Sequence, residues 1–408
     1  MSRELLLLEK LEKELNLKEL QIKSLLTITQ AINDNVSNHG LFNMYRSFLS
    51  WEMGINTMVL FIKDDEEGWK CESEINYEIS RAELIIPYIL QYKRLYTIKK
   101  KEDKPLKDFD IVIPVYHKKF PIAYALIGGI KDKEDLYNKI QFITTITNII
   151  AVAIENKRLF KKQIIQERLN KEMELASEVQ KMLIPEILPS GKHYDLDSIY
   201  KPHLNIGGDY LDFIKFNEDK FAICIADISG KGVAAALLMA NFQAMLQSLI
   251  FQYRDLETFV FALNETVYRI TKSDKFITFF IAEINTKKRE LKYINAGHYP
   301  PVVYQNAKIS RLDKGCTVIG AFEKLPEIKE DTIKLDKDAL IMCFTDGLAD
   351  LQNEEGAFFD DNKIEDFVQN HSDISPKNFN KNLIEEIENF KGELNYVDDI
   401  AVLTCKLK

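Results

Sequence analysis

Apolar residues recur along this chain with more than one period, and the changes of period divide it. In the first 35 residues Leu8, Leu11, Leu15, Ile22 and Leu25 are spaced by threes, fours and a seven among Glu and Lys, which predicts a helix. Lys18 falls on the same seam, so a paired coiled coil and a helix packed on its own domain both stay open. Over residues 36–160 short β-rich runs take over: MVLFIKD, EGWKCESEI, IVIPVY and AYALIGGI read as strands and FITTITNIIAVAIENKRLF as a closing helix, the pattern of one α+β domain. Over residues 161–189 a connector helix is expected, because Ile165, Leu169, Ala176, Val179 and Leu183 share one side. Glu172 interrupts that stripe, and Pro185 and Pro189, which lack the amide hydrogen a helix interior needs, stop the helix.

Residues 190–408 read as a second domain in the order strands, helices, strands. YDLDSIYKPH, DYLDFIKFN and KFAICIADI predict strands, and Val233 to Phe251 and Leu256 to Thr271 predict helices. In FAICIAD both alternating sets are apolar, Phe221, Ile223 and Ile225 on one side and Ala222, Cys224 and Ala226 on the other. Such a strand is covered on both faces, as in the middle of a layered α+β sandwich. ALIMCFTDG and DIAVLTC have the same character, so three core strands carry aspartates at or beside their tips.

Composition narrows the class. A chain of 408 residues, 46% hydrophobic and 29% charged with sparse Gly and Pro, has room for two or three folded domains and no long disordered tract. The 54 Lys and Arg against 63 Asp and Glu give a net charge of -9, which repels a polyphosphate backbone and argues against a nucleic-acid partner. Cys71, Cys224, Cys316, Cys343 and Cys405 are far apart with no C-x-x-C pair, so they read as core residues of a reducing compartment. The leucine run in MSRELLLLEKLEKEL is too short for a secretory signal. Phe142 to Ile154, broken by Thr144, Thr145, Thr147 and Asn148, is too short and polar to cross a bilayer. A cytoplasmic protein without membrane insertion is expected.

Four strings carry candidate chemistry: GGDYLD from Gly207, ADISGKG from Ala226, FTDG from Phe344 and DDIAVL from Asp398. Each alone is ordinary turn chemistry. Together they would bring several carboxylates to one place, and clustered carboxylates repel and lose hydration unless a cation neutralises them. Oxygen donors without matching His or Cys favour Mg²⁺ or Mn²⁺ over zinc. Two such ions about 3.5–4 Å apart can share a water, lower its pKa and direct it at phosphorus.

The ordered set GGDYLD, DISGKG, INAGHYPP, FTDGL and DDIAVL, preceded by ELASEVQKMLIPEILP, resembles the bacterial PPM-type phosphatases of the SpoIIE/RsbU branch. The resemblance implies an αββα sandwich with a two-metal site between its sheets. It also implies hydrolysis of phosphoserine or phosphothreonine on a small partner protein such as an anti-sigma-factor antagonist. Residue by residue, it makes Asp227 the ligand of both ions and the Ile228 carbonyl a ligand of the first. Asp346 and Asp398 become carboxylate ligands of the second, and Asp209 a supporting acid; Asp399 is the alternative to Asp398. Residues 36–160 resemble a GAF sensor domain through IPVY, AYALIGGI and the helix running on through Asn156 and Leu159. With the helical segments, that suggests a homodimer whose sensor, of unknown ligand, regulates the phosphatase.

Departures from the family pattern matter. Lys231 stands where many relatives have histidine, and Ser229 where eukaryotic members have a proposed general-acid histidine, which leaves the general acid unassigned. His298 stands at the aspartate of a third metal site and reads as a structural histidine bonded across a turn. Two rival readings remain: a signalling scaffold that has lost catalysis, and a nucleotide cyclase suggested by the glycine-glycine-acid turn of GGDYLD. The cyclase leaves the other three strings without a role.

Overall fold

The computed structural model describes residues 3–65, 68–99, 106–130, 136–203 and 206–408. The chain divides into two compact units, Met1–Glu167 and Arg168–Lys408. In the first, helices α1 (Arg3–Asn33) and α2 (Asn38–Ser47) precede strands β1 (Thr57–Asp64) and β2 (Gly68–Ile75). Helix α3 (Ile79–Ile89), strands β3 (Tyr96–Thr97), β4 (Ile111–His117) and β5 (Phe120–Gly128), and the long helix α4 (Leu136–Lys181), whose residues from Arg168 onward belong to the second unit, follow. The strands form one antiparallel sheet in the order β2-β1-β5-β4-β3. Alternation sorts their side chains onto two faces. Met58, Leu60, Ile113, Ala125 and Ile127 pack with Leu41, Tyr45, Ile143 and Ile150 of the helices, whereas Val59, Phe61, Val112, Tyr124 and Leu126 pack with Ala82, Ile85 and Phe109.

Helix α1 is continuous through the segment read as a separate N-terminal helix, but its last turns belong to this domain. Ile28 and Ala31 are core residues, while Leu8, Leu11 and Leu15 are exposed. The closing helix also starts earlier than the apolar run suggested, at Leu136.

The second unit holds strands β6 (Tyr194–Lys201), β7 (Tyr210–Lys215) and β8 (Lys220–Ile228), then helices α5 (Val233–Leu249) and α6 (Leu256–Thr271). Strands β9 (Ile277–Asn285), β10 (Glu290–Ala296), β11 (Val302–Gln305), β12 (Lys308–Arg311), β13 (Gly315–Cys316), β14 (Asp331–Lys334) and β15 (Leu340–Phe344) come next. Helices α7 (Asp346–Ala349), α8 (Asp361–His371) and α9 (Pro376–Lys391) and strand β16 (Ile400–Leu407) complete it. One sheet runs β13-β10-β9-β8-β7 with β14 beside β10; the other runs β12-β11-β15-β16-β6.

The layers follow from which faces are apolar. Phe221 to Ala226 of β8 are all buried, as expected for a strand covered on both sides. In β15 and β16, Ile341, Cys343, Ala401 and Leu403 face the core shared with β8, whereas Met342, Phe344 and Val402 face Phe367, Phe379 and Leu383 of α8 and α9. Met239, Phe242, Val260 and Leu263 of α5 and α6 cover the outer side of the first sheet. The result is an αββα sandwich. Its two helix layers shield both sheets along their length, so the strand ends are where polar side chains can gather. All five cysteines are unpaired. No helix among the described residues is long and apolar enough to cross a membrane.

Candidate metal centre

Asp209 immediately precedes β7, Asp227 is the penultimate residue of β8, Asp346 opens α7 just after β15, and Asp398 lies two residues before β16. The ladder registers make these positions neighbours. Tyr210 pairs with Ala226 in one sheet and Phe344 with Val402 in the other, and the Thr345 hydroxyl reaches Asp209 at 2.7 Å from the second sheet to the first, so all four acids sit at the same end of the sandwich. Thus the acids drawn from four separate strings meet.

Their electrostatics show how close the meeting is. Asp227 is pushed up to about 7, first by loss of hydration and then by the negative charges of Asp346, Asp398 and Asp399. Asp209, buried to 2% exposure, is raised well above the carboxylate range by burial and then by Asp227 and Asp399. Asp346 is raised by burial, then by Asp350 and Asp398. Mutual repulsion in a partly dehydrated site is the electrostatic signature of a cation-binding cluster. Among the described residues no three His, Cys, Asp or Glu side chains are grouped as a ready-made metal cage.

The geometry separates the two adjacent aspartates. Asp399 accepts backbone N–H groups with both oxygens, His203 at 2.8 Å on Oδ1 and Gly208 at 2.6 Å on Oδ2, so it ties the loop before β7 to the start of β16. Asp398 instead faces the Lys231 ammonium at 2.8 Å and accepts the Asp399 N–H. Lys231 also donates to the Val397 carbonyl at 3.0 Å, and the Asp398 carboxylate raises its pKa. Lys231 thus brings a positive charge from within the chain to this cluster.

Gly208 gives an independent test of whether a cation fits. A Cβ there would lie 2.9 Å from the Ile228 carbonyl oxygen and 3.6 Å from Asp227 Oδ1. The missing side chain therefore leaves a cradle directly in front of two candidate donors. Carbonyl and carboxylate oxygens without nitrogen or sulfur suit hard divalent ions.

Sequence reasoning missed Thr345. This wholly buried residue donates from Oγ1 to Asp209 Oδ2 at 2.7 Å and accepts the Ala401 N–H at 3.0 Å, linking the two sheets behind the acids. The available signal was its place in FTDG, next to Asp346. Thr345→Val keeps the shape and removes the hydroxyl, leaving a buried carboxylate and a buried amide each short of a partner. Chemical denaturation is expected to show a loss of about 1–3 kcal/mol.

Three further polar residues serve the frame. His298 is buried and pushed down to about 4 by desolvation, so it is neutral. Its Nε2–H must donate to the Phe344 carbonyl at 3.1 Å, which makes Nδ1 the acceptor of the Thr278 hydroxyl at 2.8 Å. The ring therefore bolts β9 to β15. Ser229 accepts the Phe276 N–H at 2.9 Å and donates its own N–H to the Phe276 carbonyl at 3.0 Å. Asp212, the second acid of GGDYLD, receives the Tyr210 hydroxyl at 2.5 Å and the Gln247 amide, anchoring α5 to β7.

Residues 217–408 match the family model described as Stage II sporulation protein E (SpoIIE). The chain is 26% identical over 278 residues to Phosphoserine phosphatase RsbU of Bacillus subtilis (strain 168), covering 67% of this chain and 81% of that one. It is 24% identical over 244 residues to Phosphoserine phosphatase RsbP of the same strain, covering 58% of each. Among solved structures, the SiaA-PP2C domain of Pseudomonas aeruginosa superposes with a TM-score of 0.55 at 18% identity, over 60% of this chain and 99% of that domain. At that identity the likeness speaks for the fold alone.

Proposed function

We propose that this chain is a metal-dependent serine/threonine phosphoprotein phosphatase of the PPM type, a reading supported by the match of residues 217–408 to the SpoIIE family model. The observation that carries the reading is the convergence of Asp209, Asp227, Asp346 and Asp398 on one end of the sandwich, with Asp227 pushed up to about 7 by its neighbours. Two divalent cations, Mn²⁺ or Mg²⁺, supply when bound the Lewis acidity that makes water a nucleophile at neutral pH and neutralises charge on the transferring phosphoryl oxygens. Asp227 and the Ile228 carbonyl would hold cations on the β8 side, and Asp346 and Asp398 would do so on the opposite sheet. Asp209, fixed by Thr345, supports Asp227 from behind. Lys231, paired with Asp398 at 2.8 Å, puts an ammonium at the edge of the cluster, where it would meet the phosphate of a substrate.

The substrate proposed is a small protein carrying phosphoserine or phosphothreonine, of the anti-sigma-factor-antagonist kind. Similarity to two named phosphoserine phosphatases supports it. The first unit is proposed as a GAF-like sensor that regulates this activity, and the chain as a cytoplasmic homodimer. Exposed Leu8, Leu11 and Leu15 of α1 and Ile165, Leu169 and Val179 of α4 offer apolar stripes for helix pairing.

The test is phosphate release from a serine-phosphorylated protein and from a chromogenic phosphate ester, with and without Mn²⁺. Turnover is expected with Mn²⁺, without a covalent phosphoprotein, since water is the nucleophile. Inactivity on both substrates with Mn²⁺ present, or a trapped phosphoenzyme, contradicts the proposal.

A further inference from the structure

Helix α4 reverses the ordinary rule of burial at its end. Between residues 161 and 181 the apolar Ile165, Leu169, Leu175 and Val179 are exposed, and the single buried side chain is Gln180. A buried amide is retained only when its donor and acceptor are both satisfied. Here they are: Gln180 Nε2 donates to the Gly207 carbonyl at 2.6 Å, and Gln180 Oε1 accepts the Gly207 N–H at 3.0 Å. The backbone partners leave one orientation of the amide, since a carbonyl can only accept and an N–H can only donate.

The clamped residue stands two positions before Asp209. Gly207 has no room for a side chain: a Cβ would lie 2.5 Å from Asp399 Oδ2 and 2.7 Å from the Tyr200 hydroxyl. The next residue, Gly208, is tied by its N–H to Asp399 Oδ2 and forms the cradle in front of Ile228 and Asp227. Consecutive backbone units are thus held from opposite sides, one by the helix end and one by the DDIAVL strand. Beyond Gln180 the chain turns tightly through Leu183 N–H to Gln180 carbonyl at 2.9 Å, and Ile184 and Leu188 are buried in the sandwich core, so the glutamine is fixed on its own side as well.

We infer that Gln180 is a positioning residue for metal binding, acting through its two hydrogen bonds to the Gly207 backbone to hold Gly208 and Asp209 in register with Asp227. It lies outside the segment 217–408 that carries the family match. The inference rests on the phosphatase reading for its purpose and on the hydrogen-bond geometry for its residue.

Gln180→Met keeps length and shape and removes both hydrogen bonds. In the full chain, calorimetric titration with Mn²⁺ is expected to show affinity weakened about 10- to 100-fold, the scale of a lost partner behind a metal ligand. At saturating Mn²⁺ kcat is expected to return to the wild-type value, because no group touching substrate has changed. Leu383→Ala, a cavity variant in the core of α9, serves as the control: it lowers the melting temperature and leaves Mn²⁺ affinity alone. If Gln180→Met does not fold, Gln180→Glu, which keeps the acceptor for the Gly207 N–H and loses the donor to its carbonyl, is expected to weaken binding in the same direction. A folded Gln180 variant with wild-type Mn²⁺ affinity overturns the inference while the phosphatase reading stands. Gln180-dependent Mn²⁺ binding without phosphate release sustains the inference and removes the phosphatase reading; a wild-type chain that binds no Mn²⁺ overturns both.

Discussion

Asp227→Asn is expected to lower kcat for Mn²⁺-dependent phosphate release by about a thousandfold, the scale on which preorganised charge stabilisation is lost, and to make the cation-free protein more stable than wild type. The two effects have one cause. Asp227 lies between both halves of the cluster, at the end of a strand buried on both faces, where Asp346, Asp398 and Asp399 all repel it. Asparagine keeps the size and one acceptor oxygen but removes the charge that makes the position useful to a cation and costly without one. Initial rates at saturating Mn²⁺ and melting curves in chelator check the two parts. A variant that keeps wild-type turnover removes Asp227 from the site. One that melts lower than wild type shows that the carboxylate stabilises the fold, contrary to the repulsion argument.

Chelation will abolish turnover, and it will expose a pH dependence of stability that cations suppress. The direction follows from linkage. Asp227 in the folded chain is raised to about 7 from an ordinary value of 3.8, so between those pH values the folded state holds a proton that the unfolded chain has released. Unfolding free energy therefore falls as pH rises through that window, and the loss is complete above about 7. Asp209 and Asp346 shift in the same direction and add to it. The difference in melting temperature between wild type and Asp227→Asn isolates the contribution: it should widen from about pH 4 to pH 7 in EDTA. Mn²⁺ at about 100 times its dissociation constant should add about 2.7 kcal/mol to wild type at pH 7.5 and much less to the variant. A difference that stays flat with pH contradicts a repelling cluster.

Much of this was legible in the amino-acid order because each signal was local. Doubly apolar β8 and β15 announce buried strands, and Pro185 announces a helix end, which the structure places slightly earlier, at Lys181. Aspartate next to glycine at four strand tips announces tight turns with acids on them. What a strand tip meets across the fold is not a local property. That is why Thr345 was overlooked although it sits beside a candidate ligand: its importance comes from Asp209 and Ala401, 136 and 56 residues away. The ambiguity between Asp398 and Asp399 has the same origin. Adjacent side chains beside a strand end point differently, and only the tertiary partners show one facing Lys231 and the other receiving two backbone amides.

Gln180 marks the same boundary. In the sequence it is one polar residue on a helix whose apolar stripe draws attention elsewhere, and Ile165, Leu169 and Val179 of that stripe are left exposed. Periodicity and turn chemistry, which act over a few residues, were enough to determine two folded units, a layered C-terminal domain and the acids at its strand ends. Which of those acids face one another, which hold the loops, and which neutral residues brace them was decided when sheets formed by distant segments closed together. Burial there raises the cost of every unpaired polar group, so partners separated by more than a hundred residues had to be matched in space.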